Sequence, residues 1–373
     1  MTSSLFINRS LTSALLFAFI FGLLGSSSLV PDAEAATSRD KKKISKLKKT
    51  VKKLKRQLLT QRPILVPVNV PIPAPEVPFL EMVTVGNPGN AADSTTYGAV
   101  AAAFQIGKYE VTNAQYAAFL NAVAAADPNG LFNASMESNA RGGITQFGTS
   151  PNFGYSAKAA MGDKPVNYVS FWNACRFCNW LHNGMPSGAQ GAATTEFGAY
   201  DLSVPANLTN NTVTRSSGAT FYIPTEDQWY KAAYQQPAAA GGDGDNYWLY
   251  PTGSNVAPTL GTVNAIGEIT NDDGNIANYG SEADWDSDDS GANEENGNVT
   301  TVGSGGPGSA SFYGACDMAG NVWEWNETII VNSSRVLRGG SWFNFEDILR
   351  SSFRGSFGPD FEFYNFGFRV ASP

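Results

Sequence analysis

Glycine interrupts this chain so often that long regular elements have no room: 38 of its 373 residues are Gly, and the segments with helical periodicity are short islands between glycine-rich stretches. Gly weakens helices and strands and favours turns, so the folded part must be loop-rich with a few brief elements. Thr112 is a natural N-cap for a helix whose apolar face runs through Tyr116, Phe119, Leu120 and Val123. Ser170 caps a second, with Phe171, Ala174, Phe177, Cys178 and Leu181 on its core face, and Asn183-Gly184 stop it. Thr225 caps a third, where Glu226 and Asp227 complement the positive helix end. Residues 104–111 alternate like a strand ahead of the first helix. This spacing is not a βαβ array; it predicts an irregular α+β domain. The stretches 184–219 and 235–311 look like surface insertions.

The N-terminal region has a different character. Arg9, an uncharged apolar run from Leu11 to Leu24, and Ala33-Glu34-Ala35 form the pattern a signal peptidase reads. Residues 1–35 are therefore expected to be a signal peptide, and the protein to be exported to a periplasmic, secreted or cell-surface location. An uncleaved anchor is the other reading, although the run is short for a bilayer. Residues 36–62 form a basic amphipathic segment with Ile44, Leu47, Val51, Leu54 and Leu58 on one face. Residues 41–59 suit a membrane surface, a partner helix in a short coiled coil, or a solvated charged spacer. Prolines at 63, 67, 71, 73, 75 and 78 make residues 63–78 an extended linker, which puts the folded domain at 79–373.

Charge divides along the same line. Of 25 Lys and Arg, 13 fall in residues 1–62 together with 3 of the 33 Asp and Glu, leaving 12 basic and 30 acidic side chains in residues 63–373. So acidic a domain argues against nucleic acid and suits an oxygen-rich cation site. Three cysteines, Cys175, Cys178 and Cys316, allow at most one bridge within the chain.

Six ordered segments carry a resemblance: residues 106–113 (Ile-Gly-Lys-Tyr-Glu-Val-Thr-Asn), 165–170 (Pro-Val-Asn-Tyr-Val-Ser), 224–229 (Pro-Thr-Glu-Asp-Gln-Trp), 317–325 (Asp-Met-Ala-Gly-Asn-Val-Trp-Glu-Trp), and the closing pair 338–342 (Arg-Gly-Gly-Ser-Trp) and 365–370 (Asn-Phe-Gly-Phe-Arg-Val). In this order they resemble the sulfatase-modifying factor family, the formylglycine-generating enzymes, over residues 79–373. The resemblance implies a C-type-lectin-like α+β fold with little regular secondary structure.

It also implies calcium. The positions matching the family's sites are Asp317, Gly320, Val322 and Glu324 in one set, and Asn278 with the Tyr279 carbonyl in a second that Glu294 or Glu295 would complete. A turn can supply the six to eight oxygens calcium needs from such carboxylates and carbonyls. The alternative for the first set is a core of Trp323 and Trp325 with Glu324 as a buried ion-pair partner. Asp284, Asp286, Asp288 and Glu295 have EF-hand spacing, but Asp289 stands where that loop needs Gly, so a solvated acidic loop is the simpler reading.

Copper is not expected. The family holds it between two cysteines after the Gly-Gly-Ser-aromatic segment and uses dioxygen to oxidise a substrate cysteine, whereas here no cysteine occurs from Trp342 to Pro373. Amides and carboxylates do not replace thiolates for copper(I). Cys175 and Cys178, three apart on a helix, are a substitute thiol pair only if they face the C-terminal groove; packing is the alternative. Relatives that oxidise thiol-histidine compounds hold iron with several histidines, and this chain has His182 alone. Phe343, Phe345, Phe353, Phe357, Phe361, Phe363, Tyr364 and Phe366 stand among polar residues; the alternation in residues 361–366 reads as a half-buried strand, and the other reading is that some of these rings line a groove for a peptide, glycan or surface-protein ligand.

Overall fold

The computed structural model describes residues 45–46, 48–53, 79–271, 273–285, 297–330 and 334–373. The expected signal segment, residues 63–78, and Asp286, Asp288, Asp289, Glu294 and Glu295 lie outside these residues. The chain divides into two units, Met1–Ala74 and Pro75–Pro373. In the first, residues 45–46 and 48–53 are helical and exposed, and the Thr50 hydroxyl donates to the Lys46 carbonyl at 3.1 Å. No helix among the described residues is long and apolar enough to cross a membrane.

In the second unit the helices form where the capping chemistry lies. Helix α1 spans Asn113–Val123, α2 Phe171–His182 and α3 Glu226–Tyr234. Thr112 and Gln115 exchange side-chain and backbone bonds in a capping box, Thr225 and Gln228 do the same, and the Ser170 hydroxyl accepts from the Asn173 amide. Such caps satisfy amides that a helix start leaves unpaired. Helix α2 departs from the expected one-faced pattern, because every residue from Phe171 to Leu181 is buried. Its polar residues are bonded accordingly: Asn179 donates to the Thr195 and Tyr200 carbonyls at 2.7 and 3.0 Å, and Arg176 Nε reaches Glu196 at 2.9 Å.

Strands are short. A three-stranded antiparallel sheet has the order β1 (Met82–Val85), β2 (Phe104–Gly107) and β11 (Ala371–Ser372). The alternation read through residue 111 thus stops at Gly107; beyond it, the Val111 amide donates to the Phe368 carbonyl and the Val111 carbonyl accepts from the Val166 amide. A second sheet has the order β10 (Phe366–Gly367), β7 (Trp323–Ile330), β8 (Ser334–Arg338) and β9 (Gly355–Phe357), parallel only between β10 and β7. The hairpin of β3 (Ile144–Phe147) and β4 (Gly154–Ala157) packs against α1, and β5 (Thr259–Leu260) pairs with β6 (Ile276–Ala277).

The stretches expected to be surface insertions are partly interior. Ala199, Tyr200 and Leu202 join the main core, while Tyr250, Ala277 and Tyr279 form a smaller cluster with Ala319 and Leu349. Their apolar residues are too scattered for a period, so only the folded chain shows which ones are covered.

Candidate functional site

The landmark segments meet in the interior through their polar side chains. Asn113 Nδ2 donates to the Met161, Lys164 and Pro165 carbonyls at 3.0 to 3.2 Å. Asn167 Nδ2 donates to the Arg141 and Tyr364 carbonyls, each at 2.7 Å, and Trp325 Nε1 donates to the Val169 carbonyl at 2.8 Å. Arg338 pairs with Glu226 at 2.6 Å, both side chains buried. Each buried polar group needs a partner, and the motifs supply partners to one another.

The turn from Asp317 to Trp325 lies at the centre of this arrangement. Asp317 and Asn321 both adopt left-handed backbone conformations, and between them Gly320 has φ +81°. A Cβ on Gly320 would stand 2.0 Å from the Asn278 carbonyl oxygen, so the close parallel bridge between Asn278 and Gly320 requires Gly. Both sequence-derived sets of residues are thereby brought side by side.

Their side chains have different fates. Glu324 is fully buried and engaged: its Oε2 accepts from Trp229 Nε1 at 2.7 Å and from Arg369 Nε at 2.6 Å, and its Oε1 from Arg369 Nη2 at 2.6 Å. Asp317 Oδ2 accepts the Gly303 amide at 2.5 Å, and removal from water raises its carboxyl to about 6. Asn278 donates through Nδ2 to the Asn298 carbonyl at 2.9 Å, with Thr300 Oγ1 and Asn321 Oδ1 each at 3.3 Å, while its buried Oδ1 has no hydrogen-bond partner. Tyr279 is also buried, its hydroxyl donating to the Pro258 carbonyl at 2.5 Å.

One acidic residue here was not singled out from the sequence. Glu110 is 1% exposed and neither carboxylate oxygen has a hydrogen-bond partner. Burial, and next the negative charge of Asp317, push its carboxyl well above the usual range. A Glu beside Tyr109 and Val111 in an alternating segment gives no local sign of burial, so only the tertiary contacts expose it. Among the described residues, no three His, Cys, Asp or Glu side chains form a metal-binding cluster. A hard cation at this turn would therefore rely on few carboxylates together with amide and backbone oxygens, which calcium accepts.

Cys175 and Cys178 are free, fully buried members of the main core, and burial pushes both thiols far above their ordinary value. Cys316 is buried too, its thiol raised to about 12 by desolvation. In the segment that follows Gly340-Ser341-Trp342, Asn344 Oδ1 accepts the Ser341 hydroxyl at 2.8 Å and the Asn344 carbonyl accepts the Gly280 amide at 2.7 Å. Leu349 is wholly buried.

Within the alternating segment 361–366 only Phe366 enters a strand, β10, so the half-buried strand reading does not hold there, whereas Phe357 lies in β9. Its rings form a ladder from solvent to core. Phe361 stacks on Phe363 at 5.7 Å, Phe357 lies 5.5 Å from Phe361 and 5.1 Å from Phe366, and Phe366 meets Trp325 at 5.4 Å. The outer rings Phe357 and Phe361 are 40% and 48% exposed, against 4% for Phe366. Phe345 is 72% exposed, and Phe343 stacks edge-on with Trp342, over which Arg141 lies at 4.8 Å.

Comparison with known proteins places this architecture. Residues 79–373 match the FGE-sulfatase, or sulfatase-modifying factor enzyme 1-like, domain. A protein named hercynine oxygenase, from Mycolicibacterium thermoresistibile, is 26% identical over 281 residues, covering 68% of this chain and 47% of its own length. The chain thus spans about half the length of that curated relative. Among solved structures, CarF is 19% identical with a TM-score of 0.49, covering 79% of this chain and 98% of its own. Treponema denticola variable protein 1 is 19% identical at 0.43 (78% and 94% covered), and PvdO from Pseudomonas aeruginosa 16% identical at 0.37 (79% and 91% covered).

Proposed function

Because this chain belongs to the sulfatase-modifying factor enzyme 1-like domain family, we propose that it is an exported, calcium-stabilised binding module that has lost the family's copper chemistry. Its ligand would be a peptide, a glycan or a neighbouring surface protein, held on the C-terminal aromatic face. The observation that carries this reading is the ladder of Phe357, Phe361, Phe363 and Phe366. Its outer rings stand in solvent while its inner end is anchored on Trp325. Rings held rigidly yet left exposed beside polar residues are suited to contact.

Two further observations support the reading. The orphaned Asn278 Oδ1 and the half-buried Asp317 are oxygens of the kind calcium takes. The segment after Gly340-Ser341-Trp342 contains no sulfur, and its Asn344 is already bonded within the fold.

The alternative is an oxidoreductase of formylglycine-generating type acting through Cys175 and Cys178. Those thiols lie in the core with their ionisation suppressed, whereas the thiolate is the reactive and metal-binding form. An iron site built on several histidines is not available either. His182 is the single histidine, and its Nδ1 lies 2.9 Å from the Thr220 hydroxyl.

Metal analysis of the dialysed protein and a peptide and glycan array test the proposal. Calcium without copper is expected, together with a ligand whose binding is lost in Phe357→Ser/Phe361→Ser while the melting temperature holds. Stoichiometric copper that vanishes in Cys175→Ser/Cys178→Ser would restore the enzyme.

A further inference from the structure

We propose that Glu362 is the positioning residue of the C-terminal aromatic face: its carboxylate clasps the segment that carries Phe361 and Phe363 to the start of helix α2. This rests on the binding reading above and names what keeps its rings in place. Glu362 stands between the exposed Phe361 and the half-buried Phe363. Its Oε2 accepts from Asn133 Nδ2 at 2.5 Å and its Oε1 from Asn173 Nδ2 at 3.1 Å, and Ser170 bonds it through both backbone and side chain. Ser170 is the cap of α2 and Asn173 its third residue. A negative group thus lies where the helix has unpaired amides and its positive dipole end. The backbone is tied to the same place: the Phe171 amide donates to the Pro359 carbonyl at 3.0 Å and the Tyr168 amide to the Phe363 carbonyl at 2.9 Å.

The neighbours of Glu362 require an acceptor at this position. Asn133 Oδ1 accepts the Ser135 amide at 2.8 Å, and Asn173 Oδ1 accepts from Arg176 Nη1 at 3.1 Å, while Arg176 Nε pairs with Glu196 at 2.9 Å. Both amides are thereby turned with their N–H groups toward residue 362. An ionised carboxylate has only acceptors to offer and suits both; the isosteric Gln would set its own N–H against one of them. Phe361 and Phe363 stack with ring centroids 5.7 Å apart, yet neither lies in a strand. No sheet ladder therefore fixes the backbone that carries the outer ring, and the clasp at Glu362 does. Glu362 acts on a ligand through Phe361 and Phe363, without touching it.

Chymotrypsin, which cuts after accessible aromatic residues, tests this on the native full-length protein, with the cut after Phe361 followed by mass spectrometry and the peptide and glycan array read beside it. Glu362→Gln should speed that cut and weaken array binding, each on the order of tenfold, as the loss of a hydrogen bond to a charged group does. Glu362→Gln combined with Asn133→Asp should bring both back near wild type, because the exchanged pair again sets a donor against an acceptor and the second Asp oxygen still takes the Ser135 amide. Gly89→Ala controls for a general loss of stability. A cut in Glu362→Gln no faster than in Gly89→Ala, or a double variant no better than the single one, would overturn the assignment. If Glu362→Gln does not fold, Asn133→Ala takes its place and should speed the cut by a smaller factor; an unchanged rate there would overturn it equally. An array on which wild type binds nothing, with the cutting rates as expected, would overturn the binding reading and leave the clasp standing.

Discussion

Glu324 and Arg369, 45 residues apart in the chain, form a buried ion pair whose Nε to Oε2 distance is 2.6 Å, with both side chains at most 1% exposed. It ties strand β7 to the chain's end, and Trp229 of α3 donates to the same carboxylate at 2.7 Å. Removing one partner leaves the other charged and buried, which costs about 3–5 kcal/mol. Arg369→Met should therefore lower stability by about that much in urea titration. Arg369→Met combined with Glu324→Leu should lose less than the two single changes summed, because no lone charge remains.

Gly320 should be intolerant of any side chain. Its φ of +81° disfavours L residues, and the added Cβ would overlap the Asn278 carbonyl. Gly320→Ala should cost more than about 2 kcal/mol. Gly89 has a similar φ of +74° with nothing within 4 Å of a built Cβ, so Gly89→Ala should cost only about 1 kcal/mol of backbone strain. Thermal melts of the two variants separate overlap from strain.

Cys175 and Cys178 should be silent to a thiol reagent in the native protein. Both are fully buried with ionisation suppressed, and the thiolate is the reacting form. Titration with an aromatic disulfide should label neither under native conditions and both in denaturant. Rapid native labelling at either position would put a reactive thiol back within reach of substrate.

Lys164 should give stability a distinctive alkaline slope. Its amine is buried, donates to the Ala160 and Ile266 carbonyls at 2.7 and 2.6 Å, and is lowered to about 8 by desolvation. The folded state therefore releases this proton before the unfolded state does. Between pH 8 and the ordinary lysine value of 10.5 the unfolded chain binds more protons, so stability attributable to Lys164 rises with pH in that window. Denaturant midpoints measured from pH 7 to pH 10 should rise more steeply in wild type than in Lys164→Met.

Much of the fold could be read in advance because its signals are local. Thr112 with Gln115 and Thr225 with Gln228 place the starts of α1 and α3 through bonds spanning three residues, and any chain carrying those pairs can form them. The family was legible for a related reason: its motifs are runs of neighbours in a fixed order, and their role as mutual hydrogen-bond partners keeps them together. What stayed hidden was whatever depends on distant neighbours. The aromatic stretch 361–366 alternates like a strand, yet only Phe366 enters one, where β10 pairs with β7, and Phe363 packs instead on the rings of Phe357 and Phe366. Tyr200 and Tyr250 lie in stretches without apolar period and are nonetheless buried.

By itself, the sequence determined what needs only covalent neighbours or composition: the helix starts, the basic arm ahead of an acidic domain, the family, and the lack of any sulfur after Trp342. Only the tertiary structure decided which carboxylates are satisfied. Glu324 and Glu110 both sit in motif segments, and nothing in those segments says that Arg369 gives its donors to Glu324 and to the Gly107, Lys108 and Cys316 carbonyls while Glu110 is left without a partner. A buried charge is balanced by whatever the fold brings within a few ångströms, and for these residues that is set by chain up to 262 positions away.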